Sequence, residues 1–280
     1  EARDNDDLPT ILNAMEPAAL ARIFCNATPM LSATCFSSID VPLGGKVFDC
    51  LQPSKVVGVV PLFETSQLCR LLEESEVETA QQILSEVDPK AAGNIFESME
   101  AEKRQAVVAV MDHREVVAIL KEMPIDAAVK VIEGVADDHL LNIMGKLDTG
   151  NMVGMLKNVE FDRVLWILEN LEPEKSAEVL ADGSFTHSRQ IMEQMDPAAA
   201  GVILENIEPV AGAKLVTKME SKAFRAVMKL VNPEKAAIIV NAADSSKKAL
   251  LRLSIAQAEA EAAAAGGGTL EGGKEGGEDS

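Results

Sequence analysis

Residues 88–99 read DPKAAGNIFESM, and residues 196–207 read DPAAAGVILENI. The second stretch is a near copy of the first, 108 residues later, which is nine steps of twelve. A period of twelve runs through most of the chain. Of the twelve prolines, eight share one phase: Pro17, Pro29, Pro53, Pro89, Pro173, Pro197, Pro209 and Pro233. The residue before that phase is mostly of a helix-capping type, as at Glu16, Thr28, Asp40, Glu76, Asp88, Asp112, Asp148, Glu172, Ser184, Asp196, Glu208, Asn232 and Asp244. A polar or acidic residue followed by Pro reads as an N-cap followed by the first helical position. The cap accepts backbone N–H groups that have no partner, and Pro loses nothing where its N–H would be unpaired anyway.

Six residues after each proline phase stands an aliphatic residue. From Ile23 to Leu251 nineteen of twenty such positions are Ile, Leu, Val or Met, and the exception is Cys35. The next phase is apolar in nineteen of twenty, failing only at Arg252. A third apolar phase follows the first by four residues and includes Met99, Met111, Met123, Met195 and Met219. Apolar residues at i, i+1 and i+4 form one face of an α-helix.

One continuous helix cannot carry this pattern. Twelve residues at about 100° each turn the chain ~120° beyond three full turns, so the apolar stripe would swing by a third of a circle per repeat. Seven- and eleven-residue repeats drift only slightly and supercoil instead. The chain must therefore bend once per unit, including where Pro is absent, at Ala101, His113, Ile125 and Asp137. Each unit is expected to be a helix of about eight to ten residues, too short to persist alone and stable only against its neighbours. The fold class that follows is all-α, an α-solenoid of short twelve-residue helical units, with no sheet.

Composition agrees. The chain is 47% apolar with no Tyr, one Trp and eight Phe, so its core draws on aliphatic side chains and Met rather than on the aromatics common in sheets. The expected organisation is an acidic N-terminal segment at 1–15, a repeat domain at 16–252, a terminal helix at 253–265 (SIAQAEAEAAAA is rich in strong helix formers), and a disordered Gly-rich acidic tail at 266–280. Residues 61–66 and 182–187 look irregular but keep the phase, so they read as looser corners. The chain begins with Glu, which suggests a processed or partial product, and an organelle, plastid or mitochondrion, is the expected compartment, with the cytoplasm as the alternative.

Units such as DPKAAGNIFESM, EPEKSAEVLADG and NPEKAAIIVNAA resemble the intracellular N domain of MgtE-type magnesium transporters, and a related superhelix occurs in the flagellar motor-switch protein FliG. The resemblance covers about residues 16–251 and lies in the style of the repeat. It implies a right-handed superhelix, and it raises the possibility of Mg²⁺ sensing.

Chemistry is sparse. His113, His139 and His187 fall near expected helix starts, and none has a partner at i+3 or i+4 that would make a ligand pair. No HExxH, GxSxG, P-loop or GxGxxG motif is present. The regularly spaced acids already have a capping role. Asp137 with Asp138, or Asp4 with Asp6 and Asp7, are the carboxylates that could hold Mg²⁺, but no metal, cofactor or catalytic residue is assigned. Cys25, Cys35, Cys50 and Cys69 show neither a zinc spacing nor a dense disulfide framework and read as reduced thiols. The Met-rich phase reads as core filling, with an adaptable groove as the alternative. Trp166 stands in a phase otherwise mostly polar, shared with Val202 and Ile238 at steps of 36. These three are the candidate partner-binding residues, and local packing is the competing account.

The net charge of −19 disfavours nucleic acid and anionic lipid surfaces and favours basic protein segments. No apolar run approaches the length of a membrane span. The expected function is a non-enzymatic scaffold for protein–protein interaction, an accessory or adaptor subunit of a larger organellar, membrane-associated complex. The alternative is a Mg²⁺-sensing regulatory domain like that of the transporters.

Overall fold

The structure, a computed structural model, describes residues 7–266. Among them are twenty-one α-helices and one short 3-10 turn, with no strand. The chain divides into two compact units, Glu1–Val159 and Glu160–Ser280. The first contains α1 (Asp7–Asn13), α2 (Pro17–Asn26), α3 (Pro29–Phe36), α4 (Val41–Cys50), α5 (Pro53–Val57), α6 (Thr65–Glu74), α7 (Val77–Glu86), α8 (Pro89–Ser98), α9 (Ala101–Val110), α10 (His113–Glu122), α11 (Ile125–Ile132), α12 (Asp137–Lys146) and α13 (Thr149–Leu156). The second contains α14 (Phe161–Asn170), α15 (Pro173–Ala181), α16 (Ser188–Gln194), α17 (Pro197–Asn206), α18 (Pro209–Val216), α19 (Ser221–Met228), α20 (Pro233–Ala242) and α21 (Ser245–Gly266).

The corners fall where the twelve-residue phase places them. Helices begin at Ala101, His113, Ile125 and Asp137, the proline-free positions. The two quoted copies are built alike. Asp88 Oδ1 accepts from the Lys90 and Ala91 N–H groups at 3.0 and 3.3 Å, and Asp196 Oδ2 accepts from Ala198 and Ala199 at 3.0 and 3.2 Å. Thr28, Asp112, Asp148, Glu208 and Asn232 cap in the same way. Glu16, Asp40, Glu76 and Glu172 stand at the cap position without a side-chain cap bond. Ser184 is not a cap: it lies in a turn, and α16 begins only at Ser188.

Backbone at a corner is extended for two residues, as at Met99 (φ −72°, ψ 144°) and Glu100 (φ −58°, ψ 142°). The third apolar phase therefore leaves the helix, yet its side chains turn inward: Met99, Met111, Met123 and Met195 are buried, and Met219 is half-buried. The Met-rich phase is core.

Within each unit, a helix packs chiefly on the one two further along. In the first unit α2, α4, α6, α8, α10 and α12 form one such series, and α5, α7 and α9 another. In the second unit α15, α17, α19 and α21 form one series, and α16, α18 and α20 the other. The core is a run of aliphatic side chains at the shared phase, among them Val47, Ile83, Val107, Ile143, Ile167, Val179 and Ile239. At the start of the first unit, twelve-residue spacing stacks rings instead: Phe24 on Phe36 at 4.7 Å and Phe36 on Phe48 at 4.9 Å between centroids. Ile23 shares the core phase but is 46% exposed; α2 has only α4 as a principal packing partner.

A second device ties the corners. The cap residue's own N–H is donated to a side chain 27 residues earlier, as from Asp40 to Asn13, Glu76 to Asp49 and Glu100 to Glu73 in the first unit, at 2.7, 2.8 and 2.9 Å. In the second unit it runs from Asp196 to Glu169, Glu220 to Glu193 and Asn232 to Glu205, at 2.9, 2.7 and 2.6 Å. The acceptor sits at the end of a helix three elements back and closes over the corner its neighbour makes.

The ends differ from the expected organisation. The acidic segment 1–15 includes α1, whose Leu12 is buried and whose Asn13 joins the corner bonds, so the repeat style starts before residue 16. No corner separates a repeat ending at 252 from a terminal helix at 253–265, because α21 is continuous. The sequence after Arg252 offers Ala, Gln and Glu but neither a Pro nor a cap in phase, so nothing breaks the helix. The expected disordered tail lies outside the described residues apart from Gly266.

Candidate functional site

Trp166, Val202 and Ile238 stand on α14, α17 and α20, all in the second unit. Val202 and Ile238 are 47% and 51% exposed, whereas Ile203 and Leu204 on α17 and Ile239 and Val240 on α20 are buried. Trp166 is half-buried, with the Arg163 guanidinium 4.5 Å from its ring centroid, a cation–π contact within one turn of α14. The three lie on helices three apart, whereas the main packing joins helices two apart.

The histidines separate. His113 at the start of α10 and His139 in the first turn of α12 stack with ring centroids 4.4 Å apart. His139 Nε2 is buried without a hydrogen-bond partner. Burial, then the charge of His113, push His139 below the ordinary histidine range, against a smaller opposing effect from the Val108 backbone. His187 instead lies beside Phe161 and Phe185 at 6.4 and 6.0 Å. The sequence separates positions 113 and 139 by 26 residues, and only the packing of α10 on α12 brings them together.

Asp137 and Asp138 occupy the first turn of α12 and are exposed. Among the described residues no group of three His, Cys, Asp or Glu is placed to hold a metal ion. Asp4 and Asp6 lie outside the described residues. Asp148, the cap of α13, is held at about 2, first by the Asn151 backbone N–H and then by the Asn151 side chain, with Lys121 adding an ion pair at 3.3 Å. All four cysteines are free thiols. Burial, with Glu73 and Glu100 nearby, pushes Cys69 up to about 12, and burial also raises Cys35. Neither thiol is poised as a nucleophile.

One cavity was not legible from the repeat. In the second unit a groove of about 610 Å³ lies among α19, α20 and α21. Its lining combines Met228, Val240 and Ile255 with Arg225, Lys229 and Arg252. The signal in the sequence is a reversal of charge. Between Lys214 and Arg252 there are nine Lys or Arg against three Asp or Glu, in a chain of net charge −19. Among the described residues no helix is long and apolar enough to cross a membrane.

A family model described as the MgtE intracellular N domain matches residues 63–152, 91–182 and 147–244, overlapping segments that together cover well over half of the chain. A search of curated proteins finds no match.

Proposed function

The chain belongs to the MgtE intracellular N domain family, and from that premise we propose that it is a non-enzymatic interaction domain, a right-handed α-solenoid serving as an accessory or adaptor subunit in a larger assembly. Stacked short helices present an extended surface rather than an enclosed reaction site, and repeat arrays use such surfaces to bind proteins. The observation that carries the reading is the exposure of Val202 and Ile238 at one repeat phase, with Trp166 half-buried in the same phase. Apolar residues that recur on one exposed phase of an array can serve as a docking feature.

The test is recovery of a stoichiometric partner from native extract, followed by cross-linking. Wild-type chain is expected to retain one protein at a fixed ratio, and the Val202→Glu/Ile238→Glu variant to lose it while keeping its helical content. A wild-type chain that recovers no stoichiometric partner overturns the reading. A second reading, regulation by Mg²⁺, is favoured by the family match. In it, cations would neutralise facing carboxylates of an acidic repeat and draw its helices together.

A further inference from the structure

Helix α17 is covered on one side by α19 and the turn after it: a Cβ on Gly201 would lie 3.4 Å from Leu230 Cβ and 3.8 Å from the Val227 carbonyl oxygen. Three repeats later the same phases on α20 are Ala236, Ala237, Val240 and Asn241, and these line the groove. By the packing of each helix on the one two further along, this face is where a helix after α21 would sit. Because α21 runs unbroken from Ser245 to Gly266, no further described helix covers it. Ala237 is exposed, where Gly201, Ala213 and Ala177 at the same phase are buried. The corner bond tells the same story. Glu205 accepts the N–H of Asn232, the corner residue 27 positions on, whereas its counterpart Asn241 accepts from Arg252 Nη2 at 2.7 Å. A guanidinium therefore takes the acceptor that a corner N–H takes three repeats earlier.

We infer that this groove docks an acidic amphipathic α-helix of a partner protein, seated in the register of the repeat's next helix. The inference rests on the interaction-domain reading and supplies the chemistry of one partner segment. The shape calls for a helix, since exposed Ala237 stands at the phase of Gly201, where α17 receives α19. The charge calls for Asp or Glu: among the described residues the lining carries Lys229 and Arg252 and no carboxylate. This reverses, at one end of the chain, the basic partner that the overall charge suggests. Residues 267–280 are also acidic, but six of the fourteen are Gly, a composition that disfavours a helix.

The probe is a synthetic peptide of about fourteen residues, with Leu at i, i+3, i+4 and i+7 and Glu on the flanks. Its binding to the full chain is read by fluorescence anisotropy, alongside the same peptide with every Glu replaced by Lys. The acidic peptide is expected to bind one to one, at least about tenfold tighter than its basic counterpart, and more weakly as salt rises. Ala237→Trp, which fills the groove at an exposed position, and Lys229→Glu/Arg252→Glu should each weaken it at least about tenfold. Circular dichroism checks that each variant keeps its helices. Val202→Glu/Ile238→Glu should bind the peptide normally, so loss of the extract partner and loss of the peptide are separate results. No saturable binding, equal binding of both peptides, or indifference to the groove variants overturns the inference. So does binding only after the chain is shortened at Gly266, which would make residues 267–280 the occupant. Peptide-driven dissociation of a self-associated chain would make it a second copy, and overturn it equally.

Discussion

At position 139 an imidazole lies under a second imidazole with its Nε2 sealed from water and from any acceptor. Its neutral form suits this place and its charged form does not, so its folded pKa lies below the unfolded value of about 6.5. A group depressed in this way binds more protons when the chain is unfolded. Its contribution to stability is present above the unfolded value and is lost as pH falls through the folded one. The thermal midpoint of the protein should therefore drop as pH falls below about 6.5. His139→Gln should flatten that slope, and melts of both proteins across the window check it. An equal slope in the variant would assign the effect elsewhere. Nothing in the sequence marks His139 as unusual, because its burial and its neighbouring imidazole both come from packing between helices. Capping residues are the opposite case: Asp88 and Asp196 do their work within three residues, and that local chemistry is readable from DPKAAG and DPAAAG directly.

Helices were legible because the hydrophobic phase and the corner phase repeat together, so each start could be placed even without Pro. The phase fails in two places: α16 starts three residues late although Ser184 is of a capping type, and α21 does not stop at Ala256, where neither a cap nor a Pro stands in phase. The bond from each corner back to a side chain 27 residues earlier was hidden for a different reason. It joins two different phases across two repeats, and its acceptor is Asn at 13, Asp at 49 and Glu at 73, 169, 193 and 205, so the residue type is not fixed. Glu205→Ala removes the acceptor of the Asn232 N–H and should lower stability by about 1 kcal/mol, the net worth of a typical intramolecular hydrogen bond. Glu205→Gln keeps an acceptor oxygen at the same reach and should recover most of it. Urea unfolding of the three proteins measures the difference, and equal losses in both variants would mean that charge rather than the bond is what matters.

Taken as a whole molecule, the chain carries 45 Asp and Glu against 26 Lys and Arg, but not evenly. An acidic chain that carries a basic groove in its second unit can attract opposite partners at different places, and the average charge alone conceals this. It also frames the magnesium reading. If Mg²⁺ neutralises facing carboxylates, millimolar Mg²⁺ should reduce the radius of gyration in solution scattering, and NaCl of equal ionic strength should not. Unchanged dimensions remove that reading and leave the interaction domain standing. The spacing of 27 has a consequence for how such a chain can vary. Two of the bonds, Asp49 to Glu76 and Glu169 to Asp196, span the most irregular stretches of the repeat, near 58–64 and 182–187, and the count holds across both. Those stretches are free to change conformation but not length. A single-residue insertion or deletion there would lift an N–H from its acceptor two repeats away, so natural length differences should collect beyond the tethered spans.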